Sequence, residues 1–457
     1  TISRLASISL NDATVRHRLI VWRMAINEFK ERPLLGVGME NFNVVYNKYF
    51  TPDISENWFD RTHNIYLDQL MNSGIMGLLL YLSILFYLFY RLFLSRKENY
   101  WLFAIFSSTF IAYGIHNFFV FDTINTSFFY VFLIGFISIN KIQAIASKQD
   151  QKQKLPTKSL PIDIVIALLV IANIYVAYKV IYQPYKINRN LFIGYYYTLA
   201  DTNRAYESFK TALSYKYSSA ESAYQLGTMA DILAEKGAQD KENVEKFYKL
   251  ADEKLEFAAN NFPYDIRIKI FLAQLIINNH QQLSELDEAE SLLNESIKLS
   301  PYRKESYYLL HNLYLRKGDN EKAIKILEDY ANKLRWYGEA KLMLASALQK
   351  QDAQKANEYF NESLEQGFSK NEVNLKKAIE FLLNDKRYQE ALPLYLDLIV
   401  AVPERYDYRI DLSKIYYLTG DTDRAIEQIN IVNDKAPDAL KGNEPYLNML
   451  YDAYNKE

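Results

Sequence analysis

The second half of this chain repeats a pattern of small, large and proline positions at a nearly constant spacing. Alanines mark the small position at Ala205, Ala251, Ala289, Ala323, Ala356, Ala391 and Ala425, and the last four lie 34 residues apart, give or take one. A large apolar side chain follows four residues after them, at Phe209, Leu255, Leu293, Leu327, Phe360, Tyr395 and Ile429. Prolines close several units, at Pro263, Pro301, Pro403 and Pro437. Because a small residue lets helices approach, a large one fills the gap and proline ends a helix, this pattern predicts stacked helix pairs.

The order of these positions is that of the tetratricopeptide repeat. We therefore expect residues 183–457 to form an α-solenoid of about seven repeats, with residues 446–454 as a capping helix. Such solenoids bind proteins or peptides, so we expect a protein partner on the repeat face and interpret His280 and His311 as ordinary helix residues. The many tyrosines are assigned to packing between helices, with carbohydrate stacking as the alternative.

Four apolar runs precede the repeats, at 74–94, 100–121, 127–145 and 162–182. Each is close to the roughly 20 residues that a helix needs to span the hydrocarbon core. Their length and their terminal aromatic residues favour membrane helices over a buried hairpin of a soluble protein. The predicted fold class is therefore all-α, with a polytopic helical membrane domain followed by the repeat solenoid.

Basic residues predict how these runs cross the membrane. The link after the first run carries Arg96 and Lys97, with Arg91 beside it. The link after the third run is also basic, with Lys141, Lys148, Lys152, Lys154 and Lys158, whereas the turn FDTINT between the second and third runs has no basic residue. The positive-inside rule places both basic links in the cytoplasm. Residues 1–73 and the repeats are then predicted to lie on the outer side of the membrane.

The composition excludes several kinds of site. The chain has no cysteine, which rules out disulfides, thiolate metal sites and cysteine nucleophiles. The formal net charge is −2, and because neither sign dominates we expect no nucleic-acid partner. The spacing of histidines predicts no metal site. Gly36 and Gly38 are not followed by the GKS or GKT of a phosphate-binding loop, so we expect no nucleotide there.

Two motifs precede the first apolar run. The first, RHRLIVWRMAINEFKERPLLGVGMENF, begins with an amphipathic helix that Pro33 ends, and the second is RTHNIYLDQLMNSGIMGL. An arginine four residues before a tryptophan, then PLxGxGxxxF, HNxYL and GIxGL, resembles the O-antigen ligase family. This family of bacterial membrane glycosyltransferases includes O-antigen ligases, related polymerases and protein O-oligosaccharyltransferases, and the resemblance covers about residues 16–82.

The resemblance implies transfer of a glycan from a polyprenyl-diphosphate carrier to an acceptor hydroxyl. The acceptor in such a reaction is lipid A core, a growing glycan or a protein, and no metal, nucleotide or other cofactor takes part. Arg18 stands where the family's diphosphate-contacting arginine falls, and His63 where its essential histidine falls. An arginine pairs phosphate oxygens with its planar fork, and a histidine titrates in the range that a general base needs.

Other residues are weaker candidates for the same site. Arg16 and Arg23 are candidates to bind the diphosphate. The alternative is that Arg16, His17, Arg18 and Arg23 form an interfacial basic patch that holds membrane lipid headgroups. His116 is predicted to line the site, with an interfacial side chain as the alternative. His63 as a helix cap is the alternative to catalysis, and Asp60, Asp68 and Asp122 are candidates to orient a histidine.

Two functions remain open from the sequence. The first is the membrane glycosyltransferase, which in this family is a longer chain with more membrane helices, so we expect these residues to be an inactive piece of a larger protein. The second is a non-catalytic, membrane-anchored repeat scaffold for cell-envelope assembly. A scaffold would not need Arg18 and His63 together, which favours the enzyme.

Overall fold

The computed structural model describes residues 13–54, 56, 58–97, 100–120, 123, 126, 128, 130–132, 134, 135, 162–215, 220–235, 241–279 and 285–455. All regular secondary structure in these ranges is helical, which confirms the all-α class. The chain divides into two compact units, Thr1–Arg303 and Lys304–Glu457. Asp122, His280 and most of the predicted run 127–145 lie outside the described residues.

The first four helices are α1 (Ala13–Glu31), α2 (Phe42–Lys48), α3 (Ile65–Ser95) and α4 (Tyr100–Phe119). α1 is amphipathic as predicted, and the face bearing Val21 and Met24 is almost fully buried. That face packs in one hydrophobic cluster with Phe42 and Tyr46 of α2 and with Met71 of α3. Burial of this apolar surface is the main force that holds the three helices together.

Ion pairs around Lys48 join α1 to α2. The Nζ atom of Lys48 lies 2.7 Å from Glu28 and 2.5 Å from Glu31, and the Tyr49 hydroxyl donates to Glu31 at 2.6 Å. Burial lowers the pKa of Lys48, but its hydrogen bonds to the two glutamates outweigh this and raise that pKa above its ordinary value. Hydrogen bonds from Lys48 and Tyr49 lower the pKa of Glu31.

The helix of the first predicted run begins at Ile65, about two and a half turns before Gly74. Asn64 explains this earlier start, because its side-chain oxygen accepts hydrogen bonds from the amides of Tyr66 (3.0 Å) and Leu67 (3.2 Å) and caps the helix. The apolar pattern alone did not reveal these first turns, since they carry the polar residues Asp68, Gln69, Asn72 and Ser73.

Two helical stretches of the described residues, Ile65–Leu94 and Ala167–Tyr197, are long and apolar enough to cross a membrane. Their apolar windows are 17% and 0% buried, unlike the core helix of a soluble protein. Phe103–Phe119 is apolar but shorter. Two candidate spans fall short of the four predicted, so the polytopic domain stays a prediction.

The fourth predicted run continues without a break into the repeats. Helix α5 (Ile162–Ala177) is followed by a π-helical turn (Tyr178–Tyr182) and then by α6 (Gln183–Tyr197). Pro184 stands in the first turn of α6. Proline lacks an amide hydrogen and crowds the carbonyl one turn earlier, and the widened π turn accommodates it. The predicted domain boundary between residues 182 and 183 therefore lies inside a continuous helical segment.

The remaining helices follow in pairs. In the first unit they are α7 (Thr202–Leu213), α8 (Ala220–Glu235), α9 (Lys241–Asn261), α10 (Ile266–Asn279) and α11 (Glu285–Leu299). In the second unit they are α12 (Lys304–Arg316), α13 (Asn320–Lys333), α14 (Gly338–Leu348), α15 (Ala353–Gln366), α16 (Glu372–Asn384), α17 (Tyr388–Ala401), α18 (Asp407–Leu418), α19 (Thr422–Lys435) and α20 (Glu444–Tyr454). α6 packs on α7, α8 on α9, α10 on α11 and α12 on α13.

The repeat alanines have the role that their spacing predicts. All seven have 0% exposure, and the large residues that follow them are buried as well. Aspartate side chains cap the N-terminus of the second helix in several pairs. Asp319, for example, accepts a hydrogen bond from the Lys322 amide at 3.0 Å. His311 is half-buried and its Nδ1 lies 2.8 Å from the Ala323 carbonyl oxygen, so it joins α12 to α13. Burial lowers the pKa of His311.

Candidate functional site

The two sequence motifs bind each other through backbone hydrogen bonds. α3 is interrupted at Gly74, whose φ of 64° and ψ of −167° are not helical. The freed amide of Ile75 donates to the Pro33 carbonyl at 2.8 Å, and the Val37 amide donates to the Met71 carbonyl at 3.0 Å. The loop 33–38, which we call the glycine loop, is thereby fixed against the break in α3.

Glycine is required on both sides of this contact. A Cβ atom at Gly74 would lie 2.2 Å from the Leu34 carbonyl oxygen, and one at Gly36 would lie 2.2 Å from the Met71 carbonyl oxygen. Both glycines also have positive φ, which L-residues with side chains rarely adopt. Gly36 and Gly74 therefore allow the two backbone segments to approach each other closely.

His63 belongs to a loop, residues 58–64, that we call the histidine loop. Its neighbour Thr62 is fully buried, and the Thr62 amide and hydroxyl donate to Asp68 Oδ1 at 2.9 and 2.8 Å. The Thr62 carbonyl accepts a hydrogen bond from Trp22 Nε1 at 3.0 Å. The backbone on both sides of His63 is thus held, by Thr62 before it and by the helix cap Asn64 after it.

His63 itself has a left-handed backbone with φ of 57°. A residue with a side chain pays conformational energy in this region, and such strain concentrates at functional sites. The imidazole is half-buried, packs edge-on against Phe59 at 5.7 Å between ring centroids, and places Nδ1 3.3 Å from the Arg61 carbonyl oxygen. The helix cap is Asn64.

The aspartates proposed to orient a histidine have other contacts in the structure. Asp68 is bound to Thr62, and so supports His63 through the backbone. The Asp60 side chain is 79% exposed and lies 3.9 Å from Arg267. Among the described residues no group of three or more histidines and acidic residues is arranged to hold a metal ion.

Arg18 lies one helical turn before Trp22, so the two side chains share a face of α1. The Arg18 side chain is half-buried. Arg16 and Arg23 are exposed and, being two turns apart, share a different stripe of α1. By helical spacing Arg18 therefore shares the face of Trp22, whose indole binds the histidine loop, whereas Arg16 and Arg23 lie on another face of α1.

α4 packs against the same region through residues other than His116. Phe118 lies edge-on to Trp22, with 5.5 Å between ring centroids, and the Tyr66 hydroxyl donates to the Gly114 carbonyl at 2.9 Å. His116 is exposed and stands between these contact positions, on another face of the helix. Its predicted place in the site gains no support from this geometry.

Residues 1–82 match the family model described as O-Antigen ligase. The match confirms the resemblance and contains both Arg18 and His63, and residues 1–82 are called the O-antigen ligase segment below. A comparison with curated proteins finds no match.

Solved structures of repeat proteins are similar to the helical pairs. YrrB, described as a TPR protein with an unusual peptide-binding site, is 20% identical over 42% of this chain and 99% of its own, with a TM-score of 0.29. TTC0263, a thermophilic TPR protein in Thermus thermophilus, is 18% identical over 44% of this chain and 100% of its own, with a TM-score of 0.32. Pseudomonas aeruginosa pilF is 19% identical over 50% of this chain and 96% of its own, with a TM-score of 0.30. Similarity at these scores supports no functional inference.

The repeat region contacts the O-antigen ligase segment within the first unit, which the sequence did not predict. Arg303, which is fully buried, donates from Nη2 to Asn47 Oδ1 at 2.8 Å. Its guanidinium carbon lies 4.0 Å from the Trp58 ring centroid and 4.3 Å from that of Phe50. Since Trp58 opens the histidine loop, the repeats help to hold the loop that carries His63. We name this contact the Arg303 clamp.

Proposed function

We propose that this protein is a membrane glycosyltransferase of the O-antigen ligase type. It moves a glycan from a polyprenyl-diphosphate carrier to an acceptor hydroxyl on the outer side of the bacterial inner membrane. The observation that carries this proposal is the hydrogen bond from Trp22 to the Thr62 carbonyl. It ties the helix bearing Arg18 to the loop bearing His63, which are the two residues that this chemistry needs.

Arg18 is assigned to the diphosphate. As the bond between the anomeric carbon and the phosphate oxygen breaks, negative charge grows on the leaving diphosphate. A guanidinium stays charged and can donate two parallel hydrogen bonds to phosphate oxygens. The half-buried setting of Arg18 strengthens this interaction, because screening by water is weaker there than at a fully exposed arginine.

His63 is assigned to the acceptor. Its imidazole takes the proton of the acceptor hydroxyl while that oxygen forms a bond to the anomeric carbon. The bond to the diphosphate breaks on the opposite face, so the configuration inverts and polyprenyl diphosphate leaves. The anchored backbone of Thr62 and Asn64 keeps the ring in place, which lowers the entropy that the reacting groups must lose.

The membrane setting supports the same roles. The candidate span Ile65–Leu94 begins two residues after His63, and we infer that the imidazole lies near the outer surface of the membrane. A lipid-linked donor presents its diphosphate at that level. The basic links of the sequence support an outer location for His63 and for the repeats. The repeats would then engage an acceptor or a protein partner in the periplasm.

A non-catalytic scaffold is the competing function. Repeats that recruit partners would not require a histidine in a left-handed conformation or an arginine on the Trp22 face. The experiment introduces His63→Ala and Arg18→Ala at the chromosomal locus and measures accumulated polyprenyl-linked glycan, with Lys30→Ala, at an exposed position on α1, as the control. We expect accumulation in both site variants at normal protein levels. Parental levels of lipid-linked glycan in both would favour the scaffold.

A further inference from the structure

A polar cavity of about 290 Å³ lies beside the histidine loop. It is lined by Glu40, Asn43, Asp60, Arg61 and Arg267. Four of these residues come from the O-antigen ligase segment, whereas Arg267 comes from α10 of the repeats. All five belong to the first compact unit. The proposed chemistry of Arg18 and His63 does not use this cavity.

The polar groups of the cavity are held in defined positions. Arg61 pairs with Glu40 at 2.9 Å, and Arg267 binds Asp265 through Nε at 3.3 Å and Nη2 at 3.1 Å. Asn43 donates to the same aspartate at 3.0 Å. Since Asp265 binds both Arg267 of the repeats and the Asn43 side chain of α2, it fixes these two walls of the cavity relative to each other.

The charges of the lining indicate the class of ligand. The lining carries two carboxylates and two guanidinium groups, so an anion would meet Glu40 and Asp60 and a cation would meet Arg61 and Arg267. A neutral ligand rich in hydroxyls is compatible with both, because each hydroxyl can donate to a carboxylate and accept from an arginine. Trp58 lies near the cavity, with its ring centroid 5.5 Å from the Arg267 guanidinium.

The cavity is also next to the candidate base. Asp60 and Arg61 precede Thr62 and His63 directly, and the Arg61 carbonyl oxygen lies 3.3 Å from His63 Nδ1. A ligand bound here would have a hydroxyl within reach of the histidine loop. We propose that this cavity binds a sugar of the acceptor, that the acceptor is therefore a saccharide, and that Arg267 of the repeats completes the site. This inference rests on the proposed glycosyl transfer.

The test measures binding separately from transfer. The full chain is purified in detergent and titrated calorimetrically with the delipidated oligosaccharide that mild acid releases from the producing cell's envelope glycolipid. Arg267→Gln and Glu40→Gln should each weaken binding about tenfold, because each removes a charged hydrogen-bonding partner of a hydroxyl. Arg316→Gln, at an exposed position in the second unit, is the matched control and should bind as the parent does.

A second pair of variants keeps the test independent of folding and of catalysis. Glu40 has a side chain 74% exposed, so Glu40→Gln retains the fold even if Arg267→Gln does not, and Arg267→Lys keeps the charge beside Asp265. His63→Ala should slow transfer at least about 10²-fold yet still bind the oligosaccharide. The inference would be overturned if the parent did not bind the oligosaccharide, or if Glu40→Gln bound it as tightly as the parent does. Neither outcome would bear on whether transfer depends on His63. The inference would also be overturned if the parent bound inorganic phosphate or tetramethylammonium and if Glu40→Gln and Arg267→Gln each abolished that binding. Normal levels of polyprenyl-linked glycan in cells carrying His63→Ala or Arg18→Ala at the chromosomal locus would instead contradict the proposed function.

Discussion

Trp22 donates a hydrogen bond from its indole nitrogen to the carbonyl oxygen of Thr62, 3.0 Å away and 40 residues later in the chain. Through it, a turn of α1 is attached to the loop that presents His63. The ring of Trp22 also packs against Phe118 of α4. One side chain thus links three elements, and Arg18 lies one turn away on the same face.

Replacing Trp22 by phenylalanine isolates this hydrogen bond. The aromatic contact to Phe118 remains, but the buried Thr62 carbonyl loses its donor, which costs about 1–3 kcal/mol. We expect a lower unfolding temperature in detergent and slower glycan transfer with little change in the KM for the donor. Trp336→Phe, at a tryptophan 60% exposed in the second unit, is the control. Equal unfolding temperatures for Trp22→Phe and the parent would show that the bond contributes nothing.

Gly74→Ala should disrupt the contact between the glycine loop and α3. The new methyl group would overlap the Leu34 carbonyl oxygen, and the backbone conformation at Gly74 would itself cost about 1–3 kcal/mol for alanine. We expect little folded protein in membranes, measured as the monodisperse fraction after detergent extraction. Gly114→Ala is the matched control, because its Cβ would meet nothing nearer than the Tyr66 hydroxyl at 3.5 Å. Parental yields of Gly74→Ala would contradict the assigned role.

The Arg303 clamp predicts that a repeat residue controls the order of the histidine loop. Arg303→Lys keeps a positive charge but loses the flat group that stacks on Trp58 and Phe50, an interaction worth about 2 kcal/mol when buried. We expect faster amide hydrogen exchange in residues 58–63 and slower transfer. The comparison is Arg316→Lys, for which exchange in this loop should equal that of the parent. Unchanged exchange in Arg303→Lys would mean that the loop is ordered without the clamp.

His311 predicts how the second unit responds to acid. Burial holds its pKa below the ordinary value of about 6.5, so below that pH the unfolded chain takes up a proton that the folded chain resists. The free energy of unfolding therefore falls as the pH drops from about 6.5 toward the pKa of the folded state. His311→Gln should unfold with a weaker dependence on pH between about 7.5 and 5.5. Parallel pH dependences for the two proteins would exclude this contribution.

The sequence predicted those features that depend on local spacing. The 34-residue period located the alanines that are fully buried between helices, and the amphipathic pattern located α1. It missed the first turns of α3, because an asparagine cap and buried polar residues replace the apolar pattern there. It also missed the uninterrupted helix at Pro184, where a π turn accommodates a residue that usually ends a helix.

The sequence predicted only those residues of the candidate site that belong to a recognisable motif. His63 and Arg18 were proposed from the resemblance, and the structure adds that Trp22 and Asp68 hold the histidine loop. The contacts of Arg303 with Asn47 and of Asn43 with Asp265 join residues 256 and 222 positions apart. No periodicity connects residues at such separations, so only the folded chain reveals that the repeats contact this loop.

The central claim is that His63 acts on the acceptor while Arg18 holds the donor's diphosphate, and a single-turnover assay tests it most directly. Parent, His63→Ala and Arg18→Ala proteins in native membranes are mixed with polyprenyl-diphosphate-linked radiolabelled glycan, and donor binding and transfer are measured separately. We expect His63→Ala to bind the donor normally and to transfer it at least about 10²-fold more slowly, whereas Arg18→Ala loses both. Transfer by His63→Ala at the parental rate would contradict the account.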